Sequence, residues 1–116
     1  MKRFLVLYMT AAAQLEEWMK TPEAERKDME NKMKTDWDTW MASHSSMIKE
    51  TAGAGKTKRV TATGVEDVKN DVMLYSIVEA ESQDAVTEAF KDHPHFGIPN
   101  AWIDVMPANV LPGMGS

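Results

Sequence analysis

"KRFLVLYM", residues 2–9, decides the fold. Apolar side chains occupy both of its faces, Phe4, Val6 and Tyr8 on one and Leu5, Leu7 and Met9 on the other. A strand of that kind is covered on both sides. "VMLYSIVEA", residues 72–80, repeats the pattern, with Val72, Leu74 and Val78 set against Met73, Tyr75 and Ile77.

Helical patterns alternate with these strands. "AAAQLEEWMK" follows Thr10 as a short helix. Thr21 then reads as the N-cap of a second helix over 22–44, with Pro22 in the first turn and Glu23 and Glu25 favoured by the helix dipole. Its stripe of Met29, Met33, Trp37, Trp40 and Met41 is expected to face the core, with His44 next in line. Met47–Glu50 is a candidate short strand, "TKRVTAT" another strand or ribbon, and Gly64 a turn. Ser82 caps a helix that turns Ala85, Val86, Ala89 and Phe90 inward, and Pro94 stops it after His93. "AWIDVM", residues 101–106, is the last strand.

The order β-α-(α)-β-β-α-β predicts a ferredoxin-like α+β sandwich, a four-stranded antiparallel sheet with helices on one face. One domain is expected over 1–108, with a loose Pro/Gly-rich tail over 109–116. Helices on one side leave the other apolar face bare. A second copy of the chain is the simplest cover, so a homodimer is expected.

The 116 residues carry a net charge of -5 with the acids spread along the helices, so nucleic acid is not an expected partner. No apolar run approaches the about 20 residues of a membrane span. The chain has no cysteine, hence no disulfide, thiolate nucleophile or zinc–thiolate site, which fits a cytoplasmic location. Its 10 methionines read as adaptable core filler.

"ETAGAGKT", residues 50–57, imitates a phosphate loop in its Gly-Lys-Thr ending. Glu50 stands where that motif needs its first glycine, and a β-branched stretch follows where it needs a helix. The segment is either a solvated turn or a basic lid bringing Lys56, Lys58 and Arg59 to an anionic ligand.

The three histidines are the candidate proton carriers. His44 and His93 extend two helix stripes toward one sheet, although each also reads as a polar helix end. His95 follows across Pro94 and is either a binding residue or exposed. Asp71, Asp92 and Asp104 are candidate orienting carboxylates. Trp37, Trp40, Tyr75 and Trp102 would wall a pocket for a cyclic or aromatic ligand. No metal or organic cofactor is expected, since His-x-His alone supplies too few ligands.

At His93-Pro94-His95-Phe96 and Asp104-Val105-Met106-Pro107 the chain resembles the YCII-related family of the dimeric α+β barrel superfamily. The resemblance implies a homodimer whose sheets face each other around a small-molecule pocket. It also implies a His/Asp pair in some members, and one relative is a dehydrochlorinating enzyme of aromatic breakdown. His93 matches the family position best and His44 next, with Ser45-Ser46 in place of the usual glycine. Three functions follow as expectations: a lyase- or isomerase-like acid/base enzyme, a non-catalytic ligand-binding or regulatory dimer, or a cofactor-free monooxygenase.

Overall fold

Strand β1 (Lys2–Met9) lies inside the main sheet, bonded on one side to β5 (Val72–Ala80) and on the other to β6 (Trp102–Pro107). The computed structural model describes residues 1–109 and 111–113. β2 (Ile48–Gly53) completes the sheet beyond β5, giving the order β2-β5-β1-β6 with every neighbour antiparallel. Helices α1 (Ala12–Met19), α2 (Glu23–Ser43) and α3 (Gln83–Phe90) connect the strands. The fold is the expected ferredoxin-like α+β sandwich.

Register divides the sheet into two unlike faces. Phe4 lies opposite Val78, Val6 opposite Ser76 and Tyr8 opposite Leu74. These residues meet Trp40 of α2 and Val86 and Phe90 of α3 in the core. On the other face Leu5 and Leu7 lie between Ile77 and Tyr75 on one side and Met106 and Asp104 on the other, with Met9 opposite Trp102. Among the described residues that second row belongs to no buried cluster and no helix packs on it.

The "TKRVTAT" stretch becomes a separate hairpin, β3 (Thr57–Thr61) with β4 (Gly64–Val68), outside the main sheet. Gly64 takes φ 151°, a region open to glycine and strained for other residues. The hairpin's paired Val60 and Val65 are 76% and 63% exposed. The radius of gyration is 16.3 Å, above the about 13 Å expected at this length. This projecting arm and the overhanging start of α2 account for the difference.

Several local expectations are corrected. Pro22, not Thr21, occupies the N-cap of α2 and supplies no side-chain bond, because the Thr21 N–H closes α1 on the Trp18 carbonyl. Met29 is 49% exposed, so the inward face of α2 begins later in the helix, at Met33, Trp37 and Trp40. Ala85 faces solvent, whereas Ser82 caps α3 as expected by accepting the Ala85 N–H. α3 ends at Phe90, before Pro94, and Pro94 instead opens a 3-10 turn, Pro94–Gly97. Part of the expected tail, residues 110 and 114–116, lies outside the described residues. Among the described residues no helix is long and apolar enough to cross a membrane.

Candidate functional site

The 3-10 turn builds the histidine cluster. His93 sits just before it in extended backbone, and its Nδ1 accepts the backbone N–H of His95 at 2.9 Å. His95 in turn places Nε2 2.8 Å from the Met9 carbonyl. A carbonyl only accepts, so Nε2 carries the proton and the turn is tied to the end of β1. The two rings are 2% and 1% exposed.

Aromatic rings enclose His93. Trp37 and Trp40 each approach it at a centroid distance of 4.4 Å, Tyr8 at 5.1 Å, and Phe90 lies nearly parallel at 5.6 Å. Because Nδ1 is an acceptor here, the proton of the neutral ring sits on Nε2, which is buried without a partner among the described residues. Burial, and then the neighbouring His95 and His44, push the His93 pKa down to about 3. The His95 pKa is also lowered by burial, against the opposing pull of the Met9 and Trp102 carbonyls. His93 is therefore neutral at cellular pH. His93 can hold the turn, but it has neither a free lone pair nor a solvent path for shuttling protons.

His44 differs. It caps the C-terminus of α2, stacks on Trp40 at 4.1 Å, and directs Nδ1 at the Trp40 carbonyl at 2.8 Å. Donation from Nδ1 leaves the lone pair on Nε2 of a half-buried ring. Both sequence readings hold at once, the helix cap and the core rim. Beside this cluster an apolar cleft of about 270 Å³ opens between α2, β5 and the 3-10 turn, lined by Met33, Trp37, Met73, Leu74, His95 and Ile98.

The carboxylates do not join the histidines in a dyad. Asp71 holds the start of α1 by accepting the Ala12 N–H at 3.1 Å. Asp92 lies on the exposed link after α3. Asp104 lies opposite Leu7 on the helix-free face, so the sheet stands between it and His93. Tyr75, also opposite Leu7, and Trp102, opposite Met9, share that face. Of the four wall residues, Trp37 and Trp40 bring their rings to the histidines, while Trp102 reaches His95 through its backbone carbonyl. Lys56 borders a different cavity, between α1 and the hairpin, while Arg59 is exposed on β3 opposite Glu66. Among the described residues no three His, Asp or Glu side chains form a metal-ligating group.

The sequence reading missed a buried hydroxyl chain. Tyr8 Oη lies 2.7 Å from Ser76 Oγ, which lies 2.6 Å from Thr51 Oγ1. Burial pushes the Tyr8 pKa up to about 12, against the lowering effect of the Ser76 bond. The available signal was Ser76 itself, a hydroxyl inside the otherwise apolar series Leu74, Ser76, Val78.

No family model matches the chain, and no curated protein matches it. Among solved structures it is similar to 5-chloro-2-hydroxyhydroquinone dehydrochlorinase (TftG) from Burkholderia phenoliruptrix AC1100, in complex with 2,5-dihydroxybenzoquinone. The TM-score is 0.50 and the identity 12%, over 88% of this chain and 90% of that chain. The likeness is one of fold.

Proposed function

We propose that this chain is a small-molecule-binding homodimer of the YCII-related type. Two copies pair through their helix-free sheet faces, and each keeps an aromatic–histidine cleft on its helical side for a flat cyclic ligand. One observation carries this reading: a single sheet has two apolar faces, and the helices cover only one. Seven large apolar side chains, Leu5, Leu7, Met9, Tyr75, Ile77, Trp102 and Met106, would otherwise form a continuous wet patch. A second copy offers the same surface in return, as two-fold association requires.

The cleft suits a ring. Trp37 lines it with an indole, Met33 and Met73 adapt to shape, and the buried His95 backs the wall. The similar solved structure holds a quinone, which is compatible with a flat ligand here. The test is a titration of the native protein with 1-naphthol, followed by tryptophan fluorescence. Saturable quenching is expected, and Trp37→Leu should weaken it.

The non-catalytic form of the reading is favoured by the sealed His93 and by Asp104 on the far face, which leave no His/carboxylate dyad within one chain. A lyase- or isomerase-like acid/base catalyst is the second reading. It is favoured by the His44 Nε2 lone pair, which would take a proton from the ligand without metal or cofactor. His44→Gln would then abolish turnover of a cyclic enolisable substrate while leaving ring binding in place.

A further inference from the structure

A second cavity, larger than the His95 cleft, lies away from the histidines. It measures about 1010 Å³, between α1 and the β3–β4 hairpin, and the reading above makes no use of it. Its walls include Leu15 of α1 and Val72 and Met73 of β5, with Thr10 among the lining residues. Leu15 is 40% exposed, so apolar surface is available to a ligand. Thr10 is only 3% exposed, and its hydroxyl has no partner among the described residues. A buried hydroxyl without a bond is costly and is ordinarily satisfied by water or a ligand.

The charges around the cavity are nearly all committed. Lys58 pairs with Asp67 at 2.7 Å, Lys69 with Glu16 at 3.2 Å, and Asp71 accepts the Ala12 N–H. Lys56 remains, a cation with no ion pair or hydrogen bond among the described residues, on the loop that enters β3. Gly55 precedes it. A Cβ there would meet nothing within 4 Å, and its φ lies outside the left-handed region, so neither space nor backbone angle demands glycine. Glycine at that position leaves the backbone before Lys56 freer than any other residue would.

We propose that this cavity binds a small organic carboxylate with an aliphatic body, the body on Leu15, Val72 and Met73 and the carboxylate at Lys56. A neutral molecule of the same length would gain the apolar contact and forfeit the ion pair. A nucleotide is a poor fit, because its several phosphate charges would meet only Lys56, with Lys58 and Lys69 already paired. This cavity lies apart from the His95 cleft and shares Met73 with it.

The test is an amide NMR titration of the intact protein with hexanoate and, separately, with 1-hexanol, at low ionic strength. Hexanoate is expected to shift the amides of Leu15, Lys56, Val72 and Met73 saturably and to bind more tightly than hexanol. Lys56→Gln should weaken hexanoate roughly threefold, about 0.7 kcal/mol, leave hexanol unchanged, and be rescued by Lys56→Arg. The proposal is overturned if the shifts fall on Trp37 and His95 instead. It is equally overturned if Lys56→Gln leaves hexanoate unaffected, or if no saturation is reached by about 10 mM, well below the affinity of ordinary small-ligand sites.

Discussion

His93 accepts through Nδ1 the backbone N–H of His95 at 2.9 Å, inside a nest of four aromatic rings. The bond fixes the tautomer of His93 and closes the turn that carries His95 to the Met9 carbonyl. Replacing His93 by Phe would keep a ring in the nest and remove the acceptor. A buried N–H left unpaired costs about 1–3 kcal/mol. His93→Phe is therefore expected to lower stability by that amount in urea unfolding. An unchanged midpoint would mean that the bond is replaced by water.

The same ring makes folding sensitive to acid. The folded His93 pKa is about 3, below the ordinary 6.5, so the unfolded chain binds the proton more readily. The stability that comes from keeping His93 neutral is complete above pH 6.5. It is lost as pH falls from there toward 3, by about 1.4 kcal/mol per pH unit for this one group. His95, shifted in the same direction, adds to the slope. Unfolding free energies measured across this window should fall with acidity, and His93→Gln should flatten the dependence. A slope unaltered by the substitution would place the acid sensitivity elsewhere.

Ser76 joins two hydroxyls, Tyr8 at 2.7 Å and Thr51 at 2.6 Å. Tyr8→Phe removes one member and leaves Ser76 bonded to Thr51, at an expected cost of about 0.5–1.5 kcal/mol. Ser76→Ala strips the partner from both neighbours and should cost more. Thermal or urea unfolding of the two variants checks the order. The reverse order would show that the chain is held from the Tyr8 end.

Ring binding in the cleft beside His95 rests on Trp37. An aromatic pair contributes about 0.5–1.5 kcal/mol beyond area burial, so Trp37→Leu should weaken 1-naphthol about three- to tenfold. Calorimetry measures this directly. Equal affinity in the variant would move the ligand out of this cleft.

The two-sided apolar runs Lys2–Met9 and Val72–Ala80 made the sheet legible, because strand alternation is a local property of the chain. The aim of His93 was legible too, as a continuation of the α3 stripe that ends in buried Val86 and Phe90. His95 was not, since a turn after Pro94 has no repeat from which to read a face. The face of Asp104 was not legible either, because only cross-strand register, Leu7 against Asp104, says which side of the sheet a β6 residue takes. The α2 stripe was read as wholly inward because periodicity cannot say where the sheet beneath a helix stops. Met29 is exposed and Trp40 buried.

Pairing of the helix-free faces is the central claim, and the native mass in dilute solution tests it most directly. Sedimentation at micromolar concentration is expected to give twice the 13.0 kDa of one chain. Leu7→Glu, at the middle of that face, should return the mass to a single chain while far-UV circular dichroism stays that of the folded protein. A wild-type chain sedimenting as a folded 13.0 kDa monomer would contradict the account.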